Sequence, residues 1–148
     1  MADTFTLEVV TPERQVVLEA VSQAQIPVLG GYIGVLPGHT PLLAEMGIGE
    51  LSYSIGNRVV SCTAMGGFVE VLADRVIVLA DRAERADEIN VARAEAALGR
   101  AQKRLATPND PTVDWKRAEG SLKRAQVRLQ VAAKAGTASV ASSGPGAH

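Results

Sequence analysis

Hydrophobic and polar residues alternate with a period of two over the first half of the chain. Clear examples run from Phe5 to Val9 and from Phe68 to Leu72. The pairs Gly56-Asn57 and Ala73-Asp74 each separate two such runs, which is the spacing of tight β-hairpins. Many short strands with no helix between them predict a β-sandwich, or flattened barrel, over residues 1–86.

In the second half the apolar residues recur in steps of three and four. A segment that begins Arg93-Ala94-Glu95 returns as Arg117-Ala118-Glu119, and both copies are rich in helix-favouring residues. Prolines at 108 and 111 prevent one helix from running through both copies. We therefore predict an antiparallel two-helix hairpin over residues 87–135. Its apolar seam consists of Val91, Ala94, Leu98, Ala101, Leu105, Trp115, Ala118, Leu122, Ala125 and Leu129.

This seam is thin for two helices of that length. Burial of a few Ala and Leu side chains contributes only a few kcal/mol, at roughly 0.8 kcal/mol per CH₂ group, and short helices are marginally stable alone. We therefore expect that other contacts of the hairpin decide whether it packs on the rest of the chain or detaches from it. From residue 136 onward the residues are small and polar, which predicts a disordered tail over 136–148.

Charge is distributed unevenly although the net charge is only -1. Residues 1–86 carry five Lys and Arg against ten Asp and Glu, whereas residues 87–148 carry ten against six. An acidic body and a basic appendage attract each other, which favours docking of the hairpin on the body or on an acidic partner.

Several kinds of site are disfavoured. Cys62 is the only cysteine, so we interpret it as a small core residue, and two histidines are too few for a structural zinc site. Gly66-Gly67 precedes a strand instead of a helix, which indicates a bulge or a close crossing of backbones and not a phosphate loop. We expect no catalytic site, no metal and no nucleic-acid partner. No signal peptide or membrane span is evident, so we expect no direct membrane insertion.

Two features leave alternatives open. Residues 29–43 contain clustered glycines and prolines around Tyr32, which indicates either a projecting loop for a partner or tight turns of a small barrel, with His39 as a hydrogen-bonded turn residue. Arginines seven residues apart, such as Arg93 and Arg100, lie on one side of a helix. They form either a solvated face, a clamp for an anion or nucleotide, or a docking face for an acidic protein.

Three motifs together resemble the epsilon subunit of bacterial F-type ATP synthase. They are Gly34 to Leu43, Gly66 to Val71, and Val78 to Arg85, and they occur in the family's order and spacing. The resemblance implies a non-catalytic subunit of the central rotor stalk of a proton-translocating enzyme, on the cytoplasmic face of the plasma membrane. It implies that the sandwich binds the gamma subunit and the c-ring. The ring-contact loop would comprise Gly30, Gly31, Tyr32, Ile33, Gly34 and His39.

The resemblance also implies a mobile hairpin. Extended toward the alpha and beta subunits, the hairpin would inhibit ATP hydrolysis. Folded down, it would bind ATP as a regulatory ligand, with no other cofactor required. This chain has Asn90 where the ATP-binding relatives carry Asp. The implied ATP-binding residues are Glu84, Ile89, Asn90, Arg93, Ala94, Arg100, Arg124 and Arg128. The alternative hypothesis is an ATP-sensing module in which the hairpin is the main ligand site.

Overall fold

The computed structural model describes residues 3–107 and 109–143, with side chains described as far as residue 134. Eight strands are followed by a short 3₁₀ turn, Ala86–Glu88, and by helices α1, Val91–Leu105, and α2, Trp115–Ser143. The strands are β1 Phe5–Val10, β2 Gln15–Val21, β3 Gln23–Val28, β4 Gly31–Val35, β5 Leu42–Glu45, β6 Ile48–Ile55, β7 Arg58–Val71 and β8 Arg75–Arg85.

The strands form two layers that share two long strands. The order along the hydrogen-bonded path is β2-β1-β8-β7-β6-β3-β4, and β5 pairs separately with β7. The first layer contains β2, β1, β5, the start of β8 and the end of β7, because β1 pairs with β8 at 75–79 and β5 pairs with β7 at 68–71. The second layer contains β4, β3, β6, the start of β7 and the end of β8. The predicted β-sandwich is confirmed.

Strand β7 passes from one layer to the other at Gly66 and Gly67. Both residues have positive φ angles, +73° and +106°, which glycine adopts without a steric penalty. A Cβ atom at Gly67 would collide with the carbonyl oxygen of Leu79 on β8. The predicted close crossing of backbones is therefore confirmed, and it explains why a side chain is absent at this position.

The sandwich core is built from the inward residues of both layers. Leu7, Ile26, Leu51 and Val76 are fully buried in one cluster that also contains Cys62. Burial raises the pKa of the Cys62 thiol to about 12, so the thiol is uncharged at neutral pH. This confirms the interpretation of Cys62 as a small core residue.

Residues 29–43 do not form one continuous loop, because β4 and the start of β5 lie within them. Val35 is buried and Ile33 is half-buried, whereas Tyr32 is exposed, so β4 does alternate. The glycines between these residues hid the period of two. His39 lies in the turn after β4, where its Nδ1 is 2.6 Å from the carbonyl oxygen of Thr40, as expected for a hydrogen-bonded turn histidine.

The two helices pack as the predicted hairpin. Seam residues Ala94, Ala101, Ala118 and Ala125 are buried, the four seam leucines are half-buried, and Val91 and Trp115 are exposed. The backbone of α2 is helical as far as Ser143, so the helix does not end at the predicted boundary at 135. Helix propensity does not account for these added turns, because residues 136–143 contain only two alanines beside glycine, threonine, valine and three serines. The rest of the predicted tail, residues 144–148, lies outside the described residues.

Candidate helix-docking and nucleotide site

Helix α2 has a second apolar face that the sequence analysis missed. Val127 is 7% exposed and Val131 is fully buried, although neither belongs to the seam that faces α1. Helix α2 contacts β6, β7 and the 3₁₀ turn, and on another side it contacts α1, so it lies between the sandwich and α1. Two valines four residues apart in a polar stretch were the available signal.

The surface beneath α2 is the outer face of the second layer. On β7, Ser61, Thr63 and Met65 alternate with the core residues Cys62 and Ala64. Thr63 and Met65 are nevertheless only 0% and 4% exposed. Residues on the outer face of a two-layer sandwich are buried only if another element covers them, so we attribute their burial to α2.

The first polar contact across this interface joins Arg128 of α2 to Glu84 of β8. The Nε–H of Arg128 lies 3.0 and 3.2 Å from the two carboxylate oxygens of Glu84. The hydroxyl of Thr63 donates to Glu84 Oε1 at 3.1 Å and accepts from the Glu84 backbone N–H at 2.9 Å. An acidic group of the body thus holds a basic group of the hairpin, as the charge distribution predicted.

The second polar contact is centred on Glu50 of β6, which is only 5% exposed. Its carboxylate accepts hydrogen bonds from the hydroxyl of Ser61 at 2.6 Å and from the side-chain amide of Gln130 at 2.8 Å. The Nζ of Lys134 lies 2.9 Å from the same carboxylate. These three partners satisfy a charge that would be costly to bury alone. No sequence motif marks Glu50, Gln130 or Lys134, so none of them was predicted as a site residue.

One of the predicted ring-contact residues, Tyr32, lies next to this second contact. Gly30 precedes β4, the next four predicted residues are on β4, and His39 lies in the following turn. The backbone N–H of Glu50 donates to the hydroxyl of Tyr32 at 3.3 Å. A Cβ atom at Gly49 would lie 2.7 Å from that hydroxyl, so the glycine gives the phenol room to reach Glu50. Tyr32 is still 55% exposed and remains available to a partner.

The connection between sandwich and hairpin is pinned by Glu88. Its carboxylate pairs with both terminal nitrogens of Arg14, at 2.6 and 2.7 Å, and accepts from the Arg85 backbone N–H at 2.8 Å. Residues 89 and 90 are then extended before α1 begins, with Asn90 as its N-cap. Arg14 belongs to the turn between β1 and β2, so the clamp holds the 3₁₀ turn on the body, and Ile89-Asn90 connects this turn to α1.

This clamp predicts a dependence of stability on pH. The hydrogen bond from Arg14 holds the pKa of Glu88 below its usual value. A lowered carboxylate pKa stabilises the folded chain above the ordinary glutamate range, near pH 4, and this stabilisation is lost as the pH falls through the lowered value. We expect Arg14→Gln to reduce the acid sensitivity of the unfolding free energy, measured by urea denaturation at neutral and acidic pH. Glu88→Gln should flatten the pH profile more, because the Arg85 backbone N–H still lowers the pKa of Glu88 in Arg14→Gln. An unchanged profile in either variant would contradict the clamp.

The predicted ATP-binding residues are joined directly at two points. Glu84 contacts Arg128, and the side-chain oxygen of Asn90 accepts from the backbone N–H of Arg93 at 3.0 Å, which caps α1. Arg124 donates to the hydroxyl of Ser121 at 3.2 Å. Of the remaining side chains, that of Ile89 is half-buried, that of Ala94 is buried in the seam, and those of Arg93 and Arg100 are exposed.

Two clefts of about 500 Å³ each are lined by other residues. One lies at the turn of the hairpin and includes Lys103, Arg104 and Arg117. The other lies over the strand crossing and includes Gly67, Phe68 and Leu79. Neither cleft is lined by the predicted ATP-binding residues, so their role in nucleotide binding stays a prediction.

Comparison with known proteins decides the family. Residues 4–86 match the family model of the ATP synthase delta/epsilon chain β-sandwich domain, and residues 87–133 match that of the delta/epsilon chain long α-helix domain. The ATP synthase epsilon chain of Solibacter usitatus is 50% identical over 134 residues, which cover 90% of this chain and 99% of that relative. The chain belongs to the family of ATP synthase epsilon chains.

Other bacterial epsilon chains agree with this membership, and one solved structure shares the fold. ATP synthase epsilon chain 1 of Syntrophotalea carbinolica is 46% identical, with 92% of this chain and 99% of the relative covered. The epsilon chain of Geobacter sulfurreducens is 41% identical, with 91% and 98% covered. A chain in the mitochondrial ATP synthase structure of Euglena gracilis shares the fold, with a TM-score of 0.76, 22% identity, and 90% and 83% covered.

Membership of the epsilon chains confirms the predicted resemblance. It also confirms that this chain is a non-catalytic subunit of ATP synthase. Across residues 3–107 and 109–143, no helix combines the length and the apolar character needed to cross a membrane.

Proposed function

We propose that this epsilon chain is a rotor subunit of the central stalk of a proton-translocating ATP synthase, on the cytoplasmic face of the plasma membrane. It couples the gamma subunit to the c-ring and restrains ATP hydrolysis through its helical hairpin. The observation that carries the proposal is the docked hairpin itself. Helix α2 is held on the sandwich by two buried valines and two carboxylates, a set small enough for other subunits to replace.

The sandwich offers two surfaces to these partners. On the outer face of the first layer, Leu43, Phe68 and Leu79 are each more than half exposed, and Phe68 and Leu79 are neighbours across the β7–β8 ladder. An exposed apolar cluster of this kind suits a stable protein contact, and we assign it to the gamma subunit. Strand β4 and its turn, with the exposed Tyr32, are assigned to the c-ring.

The hairpin is suited to act as a brake because its cations remain exposed while it is docked. Arg93 and Arg100 on α1 are exposed, and the hairpin region carries a net positive charge. After release at Ile89-Asn90, these residues would meet acidic surface on the alpha and beta subunits. The docked and released conformations of the hairpin exclude each other. The fraction of chains with a docked hairpin therefore determines how strongly ATP hydrolysis is inhibited.

Truncation of the chain after Ile89 tests the brake. The truncated chain keeps the Arg14–Glu88 clamp and the whole sandwich core, so we expect it to assemble with gamma and to raise ATP hydrolysis of the complex severalfold. Co-purification with gamma is the control for assembly. Equal hydrolysis with full-length and truncated chains, both assembled, would show that the hairpin is not a brake.

We further propose that ATP binds the docked hairpin near Arg128 and Glu84. The supporting observation is that this ion pair bridges the body and α2, so a phosphate-bearing ligand recruited by Arg128, Arg124 and Arg93 would alter docking. Calorimetric titration of the full chain with ATP measures this binding, and the Arg128→Gln variant is the control. No heat at millimolar ATP would exclude the proposed ligand and would leave the rotor role untouched.

A further inference from the structure

We infer that two polar contacts, here called locks, hold α2 on the sandwich. The first is Arg128–Glu84. In the second, Glu50 accepts from α2 and holds the docked hairpin independently of any nucleotide. The inference rests on the proposed mobility of the hairpin and adds to it a site distinct from the predicted ATP-binding residues. Glu50, Gln130 and Lys134 are its members, and Ser61 and Tyr32 position it.

The two locks hold α2 at different points. Arg128 pairs with Glu84, at the end of β8 that leads into the 3₁₀ turn. Gln130 and Lys134 pair with Glu50 on β6, farther along α2. Six residues of helix separate Arg128 from Lys134, which is about 9 Å along the axis. Gln130 is only two residues from Arg128, so it is the Lys134–Glu50 pair that we expect to persist when a ligand opens the Arg128 contact.

The sandwich holds the Glu50 side chain in position to accept hydrogen bonds from α2. Ser61 donates to one carboxylate oxygen, and the hydroxyl of Tyr32 accepts from the Glu50 backbone N–H, so the sandwich itself fixes both ends of the residue. From α2, Gln130 donates a hydrogen bond to the same carboxylate and Lys134 forms an ion pair with it. When α2 leaves, Glu50 loses two of these three carboxylate partners and gains water, which makes the charge tolerable in both postures.

The environment of Glu50 also explains why its ion pair with Lys134 can stabilise the docked hairpin. Lys134 is 57% exposed, and an ion pair between two such exposed groups would contribute little. Glu50, however, is only 5% exposed and is hydrogen-bonded, so its carboxylate is screened less by solvent and salt. Loss of one helix partner leaves that carboxylate incompletely satisfied while α2 still covers it.

A charge-exchange experiment on the full chain tests the lock. Hydrogen exchange of the α2 amides is measured for Lys134→Glu, for Glu50→Lys and for the double variant, with and without ATP. We expect each single variant to accelerate exchange in α2 about tenfold or more, as loss of a charge-assisted hydrogen bond predicts, and the double variant to restore most of the protection. Lys123→Glu, an exposed position on α2 with the same change of charge, is the matched control.

The outcomes separate this inference from the proposed function. Equal exchange in Lys134→Glu and Lys123→Glu would overturn the lock, as would a double variant no better protected than the singles. If the lock variants open α2 in the isolated chain but hydrolysis of the assembled enzyme is unchanged, the lock stands and the proposed brake fails. Arg128→Gln should leave protection around Lys134 largely intact, and its collapse would show that the two contacts are not independent.

Discussion

Gly67→Ala is expected to lower the free energy of unfolding of the sandwich by about 3 kcal/mol or more. The residue has a φ of +106°, and an added Cβ would collide with the Leu79 carbonyl oxygen. Relief of that collision requires β7 and β8 to separate, which disturbs the hydrogen bonds that join them. Urea denaturation with linear extrapolation measures the loss.

Gly56→Ala is the matched control for this prediction. Gly56 also has a positive φ, +60°, but a Cβ there would meet no heavy atom within 4 Å. Gly56→Ala should therefore lower the free energy of unfolding by only about 1–2 kcal/mol, which is the cost of a left-handed backbone conformation for a residue with a Cβ atom. Equal losses at the two glycines would show that the close approach of β7 to β8 contributes nothing.

Val131→Asp is expected to release the hairpin while the sandwich stays folded. Burial of a valine contributes about 1.5–3 kcal/mol, and an unpaired carboxylate cannot remain at a fully buried position, so docking of α2 should be lost. Val131 is not part of the sandwich core cluster, so the sandwich should keep its unfolding transition. If the released hairpin is the brake, ATP hydrolysis of the assembled complex should fall, the opposite of the effect of truncation.

Hydrogen exchange of α2 and the thermal transition of the sandwich measure this separation directly. Gln126→Asp, an exposed position on the same helix, introduces the same charge without reaching the interface and should change neither. A single shared transition for both regions in Val131→Asp would mean that the sandwich depends on α2. Hydrolysis that rises in both Val131→Asp and the truncated chain would assign the brake to the docked posture.

The elements with a regular pattern were predictable from the sequence. Period-two alternation located most strands, and the repeated segment located both helices and their alanine seam. The run around Tyr32 was missed because glycine has no side chain with which to show a period. The helical backbone of residues 136–143 was not predicted, because this small and polar segment carries no apolar period and was interpreted as part of a tail.

The docking site was only partly predictable. The opposite charges of the two regions indicated that the hairpin would meet the body, and the motif selected Glu84 and Arg128. Glu50 and Lys134 are 84 residues apart in sequence, and no local pattern distinguishes them from other surface charges. Only the course of α2 across the second layer brings them together, so their pairing is a property of the tertiary structure.

Strands β7 and β8 each run through both layers of the sandwich, and this has a mechanical consequence. In a sandwich whose sheets touch only through side chains, a sideways load can make one sheet slide over the other. Here two continuous polypeptide segments cross between the sheets, so such a load is resisted by covalent bonds and by backbone ladders. In the proposed rotor role, a body of this kind would transmit torque with little internal deformation.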